Sequence, residues 1–161
     1  MPIEVLLADD TDFVRKAIRR LLESDPEIQL VAEATTLHQV IDIAGKLRPH
    51  VIAMDLHMDR HATTTPLRLK SSIGISPLVA ISIWTDDEAK ALADSLGAVA
   101  LLDKVNLVVE LIPTIKRYSH VHGQTASAEQ AAQLEWRENK SRSAVPFPQP
   151  RANHGPFGPS R

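Results

Sequence analysis

Cysteine is absent from the 161 residues, which removes a disulfide framework, a zinc ribbon, thiol catalysis and iron–sulfur ligation together. An excess of charge of either sign is also lacking. The formal net charge is -2, so no basic field points to nucleic acid and no polybasic run to an anionic membrane. No apolar run approaches membrane-spanning length, and Met1-Pro-Ile-Glu-Val has neither the basic start nor the apolar core of a secretory signal. A cytoplasmic protein without membrane contact is the expectation. Function has to come from local sites on a chain long enough for one real core and an appendage.

Strand-like and helix-like segments alternate through the first three quarters of the chain. Ile3-Glu-Val-Leu-Leu-Ala reads as a buried strand. Phe13, Val14, Ala17, Ile18, Leu21 and Leu22 then follow at helical spacing, with Thr11 or Asp12 as N-cap and Asp25-Pro26 as the stop. A second strand over 28–34 leads to Thr36 and Gln39, spaced as a capping box, and to a helix carrying Val40, Ile41, Ala44 and Leu47 that ends at Arg48-Pro49. A third strand spans about 50–55, and Thr65-Pro66 opens a short helix with Leu67 and Ile73. A fourth strand after Pro77 is followed by acidic caps at Thr85-Asp86-Asp87, a face of Ala89, Leu92, Ala93 and Leu96, and Gly97 as C-cap. The fifth strand, about 99–103, leads to Asn106 as a cap and a helix with Leu107, Val108, Leu111, Ile112 and Ile115, kinked at Pro113. Five such units imply an α/β fold: a doubly wound, five-stranded parallel sheet with helices on both faces.

Four of these apolar runs end on residues that carry chemistry. Val5-Leu-Leu-Ala runs into Asp9-Asp10, Val51-Ile-Ala-Met into Asp55, Leu78-Val-Ala-Ile into Ser82, and Val99-Ala-Leu-Leu-Asp into Lys104. In an open parallel sheet these ends share one edge, where ligands bind. Crowded carboxylates repel unless a cation sits among them, and oxygen-only ligands suit a hard ion such as Mg2+. Singly, each residue reads as a cap or a solvated charge. Jointly, three carboxylates, a hydroxyl and an ammonium make a site for placing a phosphoryl group on a carboxylate.

Leu7-Ala-Asp-Asp, Met54-Asp-Leu-His-Met, Ala80-Ile-Ser and the isolated Lys104 resemble, in order and spacing over about 3–118, the response-regulator receiver domain of two-component signalling. Val5-Leu-Leu-Ala-Asp-Asp with Val31-Ala-Glu-Ala and Arg48-Pro49 is most similar to its NarL/LuxR-type branch. The resemblance implies a flavodoxin-like sheet of order 2-1-3-4-5 and a receiver domain over 1–118. It implies that Asp55 accepts a phosphoryl group from a sensor histidine kinase or phosphotransfer protein, without being an enzyme acting on other substrates. Asp9, Asp10, Asp55 and the His57 backbone carbonyl would hold Mg2+, Ser82 and Lys104 would bind phosphoryl oxygens, and His57 and Trp84 at the rim would tune dephosphorylation.

Some positions depart from the family. Leu101 stands three residues before the lysine, where an aromatic ring usually reports phosphorylation; Asp103 and Val105 flank Lys104, and Asp59-Arg60-His61 replaces a proline-containing loop. Two alternatives follow: a degenerate, phosphorylation-independent binding module, and an aspartate-nucleophile phosphatase of the haloacid-dehalogenase type. The latter needs an acid two residues after the nucleophile, where this chain has His57. The histidines at 57, 61, 120 and 122 read as solvent-exposed residues without a ligand set.

Residues 119–161 read as a tail, with a marginal helix over about 127–139 and a Pro-rich, disordered end. Roughly forty such residues cannot bury the helix-turn-helix module usual in this branch. Output is therefore expected through a downstream protein target, with no direct nucleic-acid binding.

Overall fold

Alternation within the strands builds two cores, one on each face of the sheet. In Ile3–Ala8 (β1), Leu6 and Ala8 enter one cluster while Val5 and Leu7 enter the other. The computed structural model describes residues 1–58 and 66–120, and by its internal contacts the chain divides into Met1–Thr125 and Ala126–Arg161. The expected tail beyond residue 120, its helix over about 127–139, His122 and the loop Asp59–Thr65 lie outside the described residues.

The remaining elements are α1 (Asp12–Glu23), β2 (Ile28–Ala34), α2 (Leu37–Leu47), β3 (Val51–Asp55), α3 (Pro66–Ile73), β4 (Leu78–Ser82), α4 (Asp87–Leu96), β5 (Ala98–Asp103) and α5 (Leu107–Ser119). All five strands pair in parallel in the order β2-β1-β3-β4-β5, the flavodoxin-like arrangement expected. β3 and β4 are buried along their whole length, as strands covered on both faces must be. Val40 and Ala44 of α2, Leu69 and Ile73 of α3, and Ala89, Ala93 and Leu96 of α4 cover the face of Leu6, Ile52 and Met54. Ile18 and Leu22 of α1 with Leu107, Leu111 and Ile115 of α5 cover the face of Val5, Ala53 and Val79. No described helix is long and apolar enough to cross a membrane.

Local signals hold with informative exceptions. Asp86 caps α4 by accepting from Ala89 N–H at 2.9 Å, and Gly97 closes that helix in the left-handed region, φ 76°. Thr36 caps α2 by accepting from Gln39 N–H at 3.2 Å, but the reciprocal bond is shifted: Gln39 Oε1 accepts from Thr35 N–H at 2.7 Å. Arg48 ends α2 at φ 48°, strained for a non-glycine residue. The Asn106 side chain makes no cap bond; its backbone carbonyl accepts from Val109 and Glu110 instead. Phe13 and Val108, read as part of the apolar period of their helices, are 82% and 77% exposed. Both lie in the first turn of their helices, at the strand ends, so the apolar period continues there beyond the sheet that would cover it.

Candidate functional site

β1 and β3 are neighbours in the sheet, so Asp9 and Asp55 are carried to adjacent positions on one edge. The ladder bonds run one residue past the strands. Asp9 N–H donates to the Ala34 carbonyl at 3.1 Å, Leu56 N–H to Ile81 at 2.7 Å, and Lys104 N–H to Ser82 at 2.7 Å. The backbone beneath the site residues is thus hydrogen-bonded to the neighbouring strands as the sheet itself is.

Asp9, 1% exposed, is held at every polar atom. Besides its N–H, its carbonyl accepts from Arg15 at 2.9 Å, Oδ1 accepts from Thr11 N–H at 2.8 Å, and Oδ2 accepts from Lys104 Nζ at 2.9 Å. Asp10 differs. It is exposed, and among the described residues its carboxylate accepts a single long bond, 3.3 Å, from Thr11 Oγ1. Asp55 is buried, with Oδ2 3.4 Å from Lys104 Nζ and Oδ1 accepting from His57 N–H at 3.3 Å. Burial pushes the Asp55 carboxyl above its ordinary value, against the pull of Lys104 and with a further push from Asp9. A carboxylate that is uncomfortable when charged is one that gains from a cation or from esterification.

Ligand oxygens of Asp9, Asp10 and Asp55 all lie within 4.8 Å of one another. Three hard, anionic donors at that spacing fit a small divalent ion such as Mg2+, with waters completing its shell. Above them opens a cleft of about 340 Å3 whose walls include Asp55, His57, Ile83, Trp84 and Lys104. Ser82 is fully buried beside it, and its Oγ accepts from Trp84 N–H at 3.0 Å, which leaves the hydroxyl hydrogen available to donate.

The structure therefore brings Asp9, Asp10, Asp55 and Lys104 together, with Ser82 one strand away. His57 and Trp84 meet at the rim, rings edge to face with centroids 5.3 Å apart. His57 is half-buried where solvent exposure was expected, and its Nε2 is buried with no hydrogen-bond partner among the described residues. Leu101 lies partly buried against the first core. Sequence reasoning missed Arg15 and Glu33, which brace the turn after β1. The available signal was a glutamate placed inside an apolar strand, opposite two arginines one turn apart.

A sequence profile of the response regulator receiver domain matches residues 5–116. A protein-glutamate methylesterase/protein-glutamine glutaminase of Shewanella frigidimarina is 36% identical over 101 residues, 63% of this chain and 25% of that protein. One from Pyrococcus abyssi is 33% identical over 104 residues, 63% of this chain and 28% of that protein. The chain thus spans about a quarter of the length of these relatives. Among solved structures, the receiver domain of NarL from Mycobacterium tuberculosis aligns with a TM-score of 0.65 at 17% identity, covering 76% of this chain and 98% of that one. The response regulator domain of Thermotoga maritima CheB aligns at 0.64 and 23%, covering 74% and 98%.

Proposed function

Because this chain belongs to the response regulator receiver domain family of two-component signalling, we propose that it is a phosphoacceptor and that Asp55 is the residue modified. The observation that carries this reading is the convergence of three acids within 4.8 Å beneath an open cleft, with Lys104 Nζ reaching both Asp9 and Asp55. An Asp55 oxygen attacks phosphorus as the P–N bond of a phosphohistidine donor breaks, the electron pair leaving on the imidazole nitrogen. Asp9, Asp10, Asp55 and the His57 carbonyl would hold Mg2+, which cancels charge on the approaching anions. Lys104 leaves its acid partners to bind a phosphoryl oxygen as a point charge, and Ser82 donates its hydrogen to another. Ser82 Oγ already holds the Trp84 N–H, so drawing on that hydroxyl moves the turn carrying Ile83 and Trp84, 55% and 48% exposed. That route needs no aromatic at position 101.

The donor is a sensor kinase or phosphotransfer protein, the receiver of the signal is a downstream protein, and the setting is cytoplasmic. Phe13, Val105 and Val108, close in sequence to Asp10 and Lys104, are exposed, and exposed apolar side chains suit a protein partner rather than nucleic acid. The esterase activity named for the relatives is not proposed, since the match covers a quarter of them. His57 in place of an acid speaks against the phosphatase reading. Incubation with Mg2+ and acetyl phosphate, followed by intact mass, tests the proposal. One phosphoryl adduct is expected, absent from Asp55→Asn. No adduct on the wild-type chain at saturating donor would overturn it in favour of a phosphorylation-independent module.

A further inference from the structure

Arg15 holds the loop of the acidic pair from behind. Its Nη1 donates to the Asp9 carbonyl at 2.9 Å, six residues back, and its Nη2 donates to Asp12 Oδ1 at 2.8 Å. Its Nε lies 3.5 Å from Glu33 Oε1 on β2, and Glu33 is itself paired with Arg19. The bland reading is an ordinary helix-surface ion pair between Arg15 and Asp12. Two observations oppose it. Asp12 already has Lys16 at 2.7 Å, and the Arg15 side chain is 14% exposed where that of Lys16 is 60% exposed. A surface pair does not bury its guanidinium or spend one arm of it on a backbone carbonyl across the turn.

We propose that Arg15 is a positioning residue for the divalent-cation site, with Glu33 as its anchor. This deepens the functional reading above and rests on it. The carbonyl that Arg15 grips belongs to the peptide joining Asp9 to Asp10. Lys104 and Thr11 fix the Asp9 carboxylate, but among the described residues Asp10 has one long side-chain bond. The direction in which Asp10 leaves the strand is therefore set by the peptide that Arg15 orients. Such supports behind ligands are worth on the order of 10–100-fold in metal affinity.

Charge and positioning predict opposite signs, which makes the proposal testable. Arg15→Gln removes a cation near three acids, so through-space electrostatics alone would tighten metal binding. Loss of positioning weakens it. Arg15→Lys keeps the charge and loses the fork, so electrostatics alone would change nothing. Mn2+ serves as the probe, with the unbound ion counted by its electron paramagnetic resonance signal on the full chain. The expected result is a Kd raised about tenfold or more for Arg15→Gln and several-fold for Arg15→Lys. The Mg2+ concentration giving half-maximal Asp55 adduct should rise in step. Should Arg15→Gln fail to fold, judged by far-ultraviolet circular dichroism, Arg15→Lys carries the comparison alone. Mn2+ binding by a folded variant as tight as that of the wild type, or tighter, overturns the proposal while wild-type adduct formation leaves the functional reading intact. A wild-type chain that bound no Mn2+ would overturn both.

Discussion

At the edge where the strands begin, polar groups meet partners of opposite kind. Buried Ser76 donates to the Pro49 carbonyl at 2.6 Å, Glu4 N–H donates to His50 Nδ1 at 2.9 Å, and Lys116 Nζ lies 2.9 Å from both Asp25 and Glu27. At the edge where they end, Asp9, Asp10 and Asp55 converge, and Lys104 serves two of them at once. The first edge lowers the free energy of the fold. The second crowds like charges, with Asp55 held above its ordinary value by burial, and on the proposed function a cation or an esterifying group would relieve that crowding. One sheet thus separates paired polar groups from crowded like charges, and on the proposed function the first set would secure the chain while the second would make it responsive.

Removing Lys104 should have the largest effect on this contrast. Lys104→Met leaves buried Asp9 and Asp55 facing each other without their cation, and losing one partner of a buried pair costs about 3–5 kcal/mol. Urea denaturation of the metal-free chain should show that loss, and added Mg2+ should recover part of it. If the variant lost no stability, Lys104 would not be holding the acids together, and the two edges would not differ as argued.

Ser76→Ala probes the opposite edge. It leaves the Pro49 carbonyl without its buried donor, for an expected loss of about 1–3 kcal/mol. Adduct formation at Asp55 should be unchanged at temperatures where both proteins are folded. A variant that kept its stability and lost its adduct would mean that the edges are coupled rather than separate.

Asp55→Asn should move stability the other way. The Asp55 carboxyl is raised from its ordinary value chiefly by burial, so the charged form is disfavoured in the fold. A neutral isostere should gain about 0.5–2 kcal/mol in metal-free protein near neutral pH. A raised pKa favours the fold below the unfolded value, 3.8, and that benefit is lost as pH rises through the folded value. The advantage of the variant should therefore be small at acid pH and grow to a plateau above the folded pKa. An advantage already at its full size below pH 3.8 would show that ionisation is not its cause.

Much of this organisation was legible without coordinates, for a physical reason. Period and punctuation are local, so β3, β4 and the caps at Thr36, Asp86 and Gly97 could be placed from residues within a few positions of one another. Parallel topology then turned four separate strand ends into one edge, which is why Asp9, Asp10, Asp55, Ser82 and Lys104 could be grouped in advance. What was not legible depends on where elements stop. Phe13 and Val108 keep the helical period of their neighbours but lie beyond the cover of the sheet, and no local rule marks that limit. The brace of Arg15 on Asp9 and Glu33, and the contact of His57 with Trp84, are tertiary meetings whose partners lie in different βα units or across a turn.

The smallest effect expected is at Lys116, and its pH dependence separates the two edges most cleanly. Lys116 is raised from its ordinary value by its hydrogen bonds to Asp25 and Glu27, and Asp25 is lowered by its bond to Lys116. A depressed carboxyl gives stability that is present above its unfolded value of 3.8 and lost as pH falls through its folded one. A raised amine gives stability that is present below 10.5 and lost as pH rises through its folded value. Lys116→Met should accordingly cost a small amount of stability on a plateau between those limits, vanishing toward both acid and alkaline pH. Thermal melts of the variant and of Asp55→Asn across the acid range decide the matter. On acidification the deficit of Lys116→Met should close because the wild type loses stability, whereas the advantage of Asp55→Asn should close because the wild type is relieved of a charge. Two differences closing for the same reason would mean that the sheet does not divide its electrostatics between its edges.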